Sequence, residues 1–332
     1  MHFGVIGIGP VGATFAAMLH GGGHRVSVLD NNPQLVELIK NKPLKIGGCY
    51  QAETVLNEVY TAFAEFADSA PEVVLISVKT YVLQDLLLQI KNSALATSTF
   101  VSCQNGIDTE KEIAQALGEK QALRMVLNFG VSYSACEGVT VNFLNEPHFL
   151  SCVCPSEASV AHKIIGELNA VGMKVEFVDD ITKEVFKKAI LNTCLSCVCT
   201  LTRTTMSEAM AEAELRSTVE AIIREGMLIC KANGFALNDD FLDKAIAYLS
   251  KGGNHKPSML IDVENGRRTE IRHLAGKLTE YAQRQGIQVP VTQTMSYLVK
   301  ALEKSAMTKV LGQSEQSGNH GASVHDKQMS IA

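Results

Sequence analysis

The chain has 332 residues, of which 46% are hydrophobic and 20% are charged, so it is long enough to bury the cores of two domains. Its 30 basic and 35 acidic residues give a formal net charge of −5 with no strongly basic stretch, which argues against a nucleic-acid partner. No uninterrupted apolar run approaches the ~20 residues of a membrane span, and a strand-like run already begins at residue 3, where a signal peptide would need its charged region. We therefore expect a cytoplasmic protein without a membrane partner.

The first thirty residues predict two strands joined by a helix. Residues 3–8, FGVIGI, form an apolar strand-like run, residues 11–19 have a helical period, and residues 25–29, RVSVL, predict a second strand. This order is that of a βαβ unit, in which the two strands run parallel.

The turn between the first strand and the helix carries the spacing G-x-G-x-x-G at Gly7, Gly9 and Gly12. Glycines at these places allow a tight turn, close approach of a pyrophosphate and close packing of the helix. The N–H groups at the helix start would then face the phosphates. A dinucleotide is therefore predicted to bind at Gly7, Gly9, Pro10, Val11 and Gly12, and a purely structural glycine turn is the alternative.

Asp30 ends the second strand, 21 residues after Gly9. A carboxylate at this place can accept hydrogen bonds from both hydroxyls of an adenine ribose. It would also repel a ribose 2′-phosphate, so the sequence favours NAD(H). NADP(H) stays open, because Lys40 or Lys42 could fold back towards a phosphate.

Strands and helices alternate as far as residue 180. Strands are predicted at 73–77, 99–103, 124–130 and 174–178, helices at 82–92 and 108–117, and a hairpin over 138–154. Alternation of this kind predicts a parallel, doubly wound sheet. The expected fold class is α/β, with an N-terminal doubly wound Rossmann-type domain over residues 1–180.

Beyond residue 180 the pattern is helical, and no strand is evident. Helices are predicted at 183–202, 208–233, 239–250, 267–285 and 291–304. We expect an all-α C-terminal domain over residues 181–305, whose apolar helices could support a homodimer or pack equally well in a monomer. Residues 306–332 end in a Ser-, Gly- and Gln-rich stretch and are predicted to form a flexible tail.

The first helix of this second domain carries a polar stripe. Lys188, Asn192 and Ser196 recur every four positions on an otherwise apolar helix and so lie along one side. An amine on a largely buried helix needs partners or a function. The alternative is a rim lysine whose stem covers apolar surface while its ammonium stays in water.

Nine cysteines, an odd number in a chain large enough to fold without crosslinks, are expected to be free thiols. Cys194, Cys197 and Cys199 form a cluster in the sequence, and a metal site would require the fold to bring Cys152 and Cys154 to it. The alternative, which we favour, is that these cysteines are small buried apolar residues, with no metal bound.

Five stretches resemble the ketopantoate reductase family, whose 6-phosphogluconate-dehydrogenase-like enzymes reduce 2-dehydropantoate to pantoate. They are GIGPVGATFA near the start, ISVKTY at 76–81, SCQNGID at 102–108, FKKAILN at 186–192 and KPSMLIDVENGRRTEI at 256–271. The last meets every fixed position of the family pattern S-M-x-x-D-x-x-x-G-R-x-T-E-I. The resemblance extends from about residue 3 to residue 304.

The resemblance implies roles for individual residues. The catalytic lysine of the family corresponds to Lys188 and its acid to Glu270, while Asn192 and Ser258 match substrate-binding positions. Lys79 and Asn105 match positions beside the nicotinamide end of the cofactor. Each of the motif residues also has a structural alternative, since Asn105 lies in an Asn-Gly turn, Ser258 could cap a helix and Glu270 could pair with Arg267.

The sequence departs from the family around the acyl pocket. Ser196 replaces a second helix asparagine, His255 replaces another with Asn254 beside it, and Arg272 and Ala275 replace an acid and an asparagine. Ser196 and Asn254 are therefore candidate substrate contacts, and these departures bear on which small anionic 2-oxo acid is bound rather than on the type of reaction. The family generally uses NADPH, against which Asp30 argues. An opine-type or other 2-hydroxyacid dehydrogenase and a non-catalytic NAD-responsive binding protein are the competing functions.

Overall fold

A computed structural model of the chain describes residues 1–134 and 138–318. These residues divide into two compact units, of which the first holds residues 1–104 and 108–181. The second holds residues 105–107 together with those from 182 onward. The division after residue 181 lies one residue beyond the predicted boundary, and the sequence did not indicate that 105–107 belong with the second unit.

The first unit contains twelve strands among the described residues. The strands are β1 (His2–Ile6), β2 (Arg25–Leu29), β3 (Leu44–Gly48), β4 (Ala52–Thr54), β5 (Glu58–Tyr60), β6 (Val73–Ile76), β7 (Thr99–Ser102), β8 (Ala122–Val126), β9 (Phe129–Ser134), β10 (Gly138–Leu144), β11 (His148–Cys152) and β12 (Val175–Phe177). Its helices are α1 (Pro10–Gly21), α2 (Pro33–Asn41), α3 (Phe63–Asp68), α4 (Leu83–Lys91), α5 (Thr109–Leu117) and α6 (Ala158–Ala170). Short 3₁₀ turns lie at Thr80–Val82, Ala94–Thr97, Glu119–Gln121 and Pro155–Glu157.

Eight strands form the main sheet, in the order β12-β11-β8-β7-β6-β1-β2-β5. All neighbours pair in parallel except β11 with β8. Alternate residues of the strands enter two different cores, since Phe3 and Val5 of β1 join one cluster and Ile6 joins the other. Both faces are thus covered, which explains why the strands are almost continuously apolar. The predicted α/β fold with a doubly wound N-terminal sheet is confirmed.

The strand order reverses at β1, which has β2 on one side and β6 on the other. In open α/β sheets the carboxyl ends of the strands at such a switch point form the crevice where ligands bind. The turn from Gly7 to Gly12 follows β1, and the segment with Lys79 follows β6. The topology therefore brings two of the sequence-predicted segments to one edge of the sheet.

The hairpin predicted over residues 138–154 is wrong. β10 and β11 do not pair with each other: β10 pairs antiparallel with β9 and parallel with β3, in a smaller sheet of order β4-β3-β10-β9. β11 pairs with β8 and β12 in the main sheet. Apolar alternation predicts that each segment is a strand. It does not predict which other strand the segment pairs with, because the partner comes from a distant part of the chain.

The second unit is helical in its described part, and no strand is assigned between residues 182 and 318. Its helices are α7 (Thr182–Thr202), α8 (Met206–Ala211), α9 (Ala213–Ala232), α10 (Phe241–Leu249), α11 (Ser258–Glu264), α12 (Ala275–Arg284) and α13 (Pro290–Gly318). α7 packs against α9, α11, α12 and α13, and every side chain from Thr193 to Thr200 is buried. The predicted all-α second unit is confirmed.

α7 is also the one helix among the described residues that is long and apolar enough to cross a membrane, judged by length and composition alone, with a mean hydropathy of 1.2. This finding qualifies the expectation that no segment approaches that length. Of its most apolar window, 61% is buried inside the protein. Core helices pass the same test, so the signal is weak.

Three helix boundaries differ from the prediction. The helix predicted over 208–233 is two helices, because Glu212 has an extended backbone between α8 and α9. The helix predicted over 267–285 begins only at Ala275. α13 continues through residues 306–318 of the predicted tail, where Lys, Ala, Met, Leu and Gln favour a helix. The rest of that tail, 319–332, lies outside the described residues.

Candidate active site

The turn after β1 can be formed only with glycine at its first and third motif positions. Gly7 has a φ of +90°, and a Cβ atom there would lie 2.7 Å from Val78 Cγ1. A Cβ atom on Gly12 would lie 1.9 Å from the carbonyl oxygen of Gly7, because α1 packs directly on the turn. Two of the three glycines therefore have a structural reason that holds with or without a ligand.

The middle of the motif leaves the start of α1 open. Gly9 is the N-cap residue and makes no side-chain capping bond, and Pro10 and Val11 form the first turn of the helix. The uncapped N–H groups of a first turn carry the positive end of the helix dipole. This arrangement fits a pyrophosphate, whose oxygens would take the place of a cap.

Asp30 is 5% exposed and connects the end of β2 to the glycine turn. Its Oδ2 accepts a hydrogen bond from the Ile8 N–H at 2.8 Å, and its Oδ1 accepts one from the Asn32 N–H at 2.9 Å. Burial raises the pKa of Asp30, and these two bonds oppose the rise. Because each oxygen has a second lone pair, the carboxylate can hold the turn and still accept from hydroxyl groups.

Lys79 follows β6 and is half-buried at the start of the Thr80–Val82 turn. The residue before it is held by Gln104, whose Nε2 donates to the Val78 carbonyl oxygen at 2.8 Å. Gln104 is 4% exposed and also accepts a bond from the Ser102 hydroxyl at 3.4 Å. Gln104 lies within the SCQNGID stretch, but no feature of the sequence marked it as a candidate site residue.

Asn105 does more than form a turn. It belongs to the second unit with Gly106 and Ile107, and its Oδ1 accepts a hydrogen bond from Asn192 Nδ2 at 3.5 Å. The Ile107 N–H donates to the His273 carbonyl oxygen at 3.0 Å. One three-residue segment therefore contacts both α7 and the loop that carries Glu270.

The polar stripe of α7 lies partly within the protein. Lys188 and Asn192 are half-buried, and Ser196 is 8% exposed. Asn192, one helical turn after Lys188, is the residue in contact with Asn105. The structure thus brings the predicted lysine helix and the predicted asparagine turn together within the second unit.

Glu270 lies in a loop between α11 and α12 rather than on a helix face, and it is 7% exposed. The bond that the structure gives to Arg267 goes to a different carboxylate. Arg267 Nε donates instead to Asp262 Oδ1 at 3.1 Å, across the turn at the end of α11. Glu270 is thus buried in a loop, whereas the alternative placed it on a solvated helix face.

Two family models match the amino-acid sequence of the chain. The model described as ketopantoate reductase PanE/ApbA matches residues 3–147, and the model of the ketopantoate reductase PanE/ApbA C terminal matches residues 180–303. The chain belongs to the ketopantoate reductase family. Enzymes of this family are oxidoreductases that depend on a pyridine nucleotide.

Individual relatives have low sequence identity to this chain but match it over most of its length. A 2-dehydropantoate 2-reductase from Streptococcus pyogenes is 26% identical over 307 residues, covering 90% of this chain and 97% of the relative. The structure of a 2-dehydropantoate 2-reductase from Geobacter metallireducens has a TM-score of 0.83 at 22% identity, over 91% of this chain and 99% of that one. A D-mandelate dehydrogenase solved with NADH and anilino(oxo)acetate has a TM-score of 0.80 at 21% identity, over 92% and 99%.

The two remaining substrate candidates lie further along the ketopantoate reductase motif. Ser258 is the first residue of α11 and is exposed, and Pro257 rather than Ser258 is the N-cap residue. Asn254 is exposed and accepts a bond from the Ser207 hydroxyl at 3.4 Å, at the start of α8. The substrate roles of Ser258 and Asn254 stay predictions.

The cysteines of α7 are buried thiols. Burial raises the pKa of Cys197 to about 12 and that of Cys199 to about 11, and it raises the pKa of Cys194 as well. Within residues 1–134 and 138–318, no three His, Cys, Asp or Glu side chains are grouped so that they could hold a metal ion. The protonated thiols pack as small apolar groups.

Proposed function

We propose that this protein reduces a 2-oxo acid with NAD(P)H, most of all 2-dehydropantoate to pantoate in pantothenate biosynthesis, and that Lys188 is the general acid. The observation that carries the proposal is the contact between Asn105 and Asn192, which lies one turn after Lys188. The segment that contains Asn105 also binds the loop that carries Glu270, through the Ile107 N–H. The family match over both units supports the same reaction.

The first unit fits a dinucleotide. Gly7 and Gly12 shape a turn that no other residue permits, the start of α1 is uncapped, and Asp30 is buried at the end of β2. Pyrophosphate would lie at Gly9, Pro10 and Val11 and the ribose at Asp30. The family resemblance assigns Lys79 and Asn105 to the nicotinamide end. When bound, the reduced nicotinamide supplies the hydride.

The chain's own residues handle the charge and the proton. Negative charge develops on the substrate carbonyl oxygen as its carbon is reduced, and the Lys188 ammonium donates a proton to that oxygen, which leaves an alcohol and a neutral amine. Glu270 keeps Lys188 charged or accepts a bond from a substrate hydroxyl. Asn192 and Ser196 orient the oxygen groups of the substrate, and Ser258 and Asn254 bind its carboxylate end.

A second candidate is the reduction of a different 2-oxo acid on the same scaffold, as in an opine-type or other 2-hydroxyacid dehydrogenase. The fold is shared with a D-mandelate dehydrogenase. Ser196, His255, Arg272 and Ala275 also replace the residues that the family usually has around the acyl group. We propose further that the protein acts in the cytoplasm. Its assembly into a homodimer stays a prediction.

An assay of NADH and NADPH oxidation with a panel of 2-oxo acids tests the proposal and separates the two candidates. We expect 2-dehydropantoate to give the highest kcat/KM. Activity confined to other 2-oxo acids would favour the second candidate. Cofactor binding without oxidation for any member of the panel would contradict both and support the non-catalytic NAD-responsive protein.

Replacement of Asp30 tests the cofactor preference. We expect Asp30→Asn to raise the ratio of kcat/KM for NADPH to that for NADH by about tenfold, because it removes a charge that repels a 2′-phosphate. The asparagine oxygen can still accept from the Ile8 N–H, so the turn should stay folded. Asp30→Ala leaves both N–H groups without their acceptor and should also lower the free energy of unfolding by about 1–3 kcal/mol. Steady-state kinetics and urea unfolding measure the two effects, and an unchanged ratio in Asp30→Asn would mean that another group selects the cofactor.

A further inference from the structure

A buried glutamate on α13 holds the residue that precedes Glu270. Glu303 is 5% exposed, and its Oε2 accepts two hydrogen bonds from Thr269, from the N–H at 2.7 Å and from the hydroxyl at 2.6 Å. Thr269 is itself 2% exposed. Hydrogen bonds to an ionised carboxylate are shorter and stronger than those between neutral groups. The backbone at Thr269 is therefore fixed to α13.

The loop between α11 and α12 has its first anchor at its beginning. There Asp262 binds Arg267 twice, through the side chains at 3.1 Å and through the Asp262 carbonyl oxygen and the Arg267 N–H at 2.8 Å. The Glu303 contact with Thr269 is the second anchor and lies immediately before Glu270. After it, the N–H groups of His273 and Leu274 bind the Glu270 carbonyl oxygen at 3.0 and 3.1 Å.

Burial of the Glu303 carboxylate costs free energy. Ionised groups lose hydration in the interior, and a neutral side chain could accept the same bonds at lower cost. Burial and the nearby Arg272 lower the pKa of Lys300, one turn before Glu303 on the same helix, while the charge of Glu303 opposes that change. The buried carboxylate of Glu303 is thus committed to Thr269, beside Glu270.

We infer that Glu303 is a positioning residue, which holds the Glu270 carboxyl group in its catalytic place through Thr269. The inference rests on the proposed function, in which Glu270 acts on Lys188 or on the substrate. It adds a residue that lies outside the five family-like stretches, on a helix with no other candidate site residue. A misplacement of Glu270 by about 1 Å would cost on the order of 100-fold in rate.

Glu225 provides a matched control in the same unit. It is 8% exposed and also accepts two bonds, from the N–H groups of Val291 and Thr292 at 2.9 and 2.7 Å, where it caps the start of α13. Its partners lie in the first turn of that helix, about three turns before Glu303. Loss of Glu225 should therefore destabilise the fold without moving Glu270.

The experiment compares Glu303→Ala, Glu303→Gln and Glu225→Ala in the full chain with 2-dehydropantoate and the preferred cofactor. We expect Glu303→Ala to lower kcat/KM for the oxo acid by about 10- to 100-fold while the cofactor dissociation constant stays within twofold of the original. Glu303→Gln, which retains an acceptor oxygen, should lose less. Glu225→Ala should shift the urea midpoint about as much as Glu303→Ala and leave kcat/KM within about twofold.

A double-mutant cycle separates positioning from general destabilisation. On a Glu270→Gln background, Glu303→Ala should cause little further loss of kcat/KM, because the group that it positions is already gone. Fully additive losses, or an equal loss in Glu225→Ala, would overturn the inference. If Glu303→Ala does not fold, Thr269→Val and Thr269→Ser replace it, and Thr269→Val should lose several-fold more activity because it lacks the hydroxyl.

The cycle also distinguishes this inference from the proposed function. A large loss in Glu270→Gln with none in Glu303→Ala overturns the positioning role alone. Full activity in Glu270→Gln overturns the catalytic role of Glu270 and the positioning role with it. Absence of any 2-oxo acid reduction in the unmodified chain removes the proposed function itself.

Discussion

Lys188→Ala is expected to lower kcat by about 10²- to 10⁴-fold, because it removes both the proton donor and the charge that stabilises the developing oxyanion. The dissociation constant of the cofactor should change little, since the predicted cofactor residues of the first unit are untouched. Stopped-flow measurement of NAD(P)H oxidation and a fluorescence titration of cofactor binding give the two quantities. An equal kcat in the variant would contradict the general-acid role.

Lys187→Ala is the matched control for that experiment. Lys187 immediately precedes Lys188 on α7, carries the same charge, and pairs with Glu184 at 2.7 Å with its side chain 36% exposed. A partly exposed pair of this kind contributes about 1 kcal/mol or less to stability. We therefore expect Lys187→Ala to retain kcat. A comparable loss in both variants would show that the effect comes from α7 as a whole and not from the amine of Lys188.

Mild alkali is expected to unfold the protein through its buried thiols. Burial raises the pKa of Cys197 and Cys230 to about 12 and that of Cys199 to about 11, and it also raises the pKa of Cys194. In the unfolded chain a thiol has a pKa of about 8.5. Below that pH both states keep their protons and these groups contribute no pH dependence. Above it the unfolded state loses protons that the folded state retains, so stability falls as the pH rises.

The size of this effect follows from the number of thiols. Each one lowers the free energy of unfolding by about 1.4 kcal/mol per pH unit between about pH 9 and the raised pKa, so four together lower it by roughly 5.5 kcal/mol per pH unit. The whole free energy of unfolding of a typical domain is roughly 5–15 kcal/mol. Urea unfolding at pH 8, 9 and 10 measures the slope. Cys197→Ala should reduce the slope by about one quarter, whereas Val198→Ala, at a buried position without a titratable group, should lower stability at every pH and keep the slope.

The local patterns of the sequence predicted the parts of the site that depend on neighbouring residues. The turn with Gly7, Gly9 and Gly12 is set by sterics within a few residues, and the helix with Lys188 and Asn192 follows from a period of 3.6 residues. Both are found where the sequence placed them. Asp30 also ends β2 as expected, although its bond to the Ile8 N–H was not foreseen.

The sequence alone determined the α/β order of the first unit, the helices of the second and the family to which the chain belongs. Only the tertiary structure decided that β10 and β11 join different sheets, that Asn105 contacts Asn192, and that residues 267–274 form a loop. The loop is held by bonds from Asp262 and Glu303, and Glu303 is 34 residues from Thr269 along the chain. Such hydrogen bonds depend on which distant segments the core brings together, and neither propensity nor periodicity specifies that pairing.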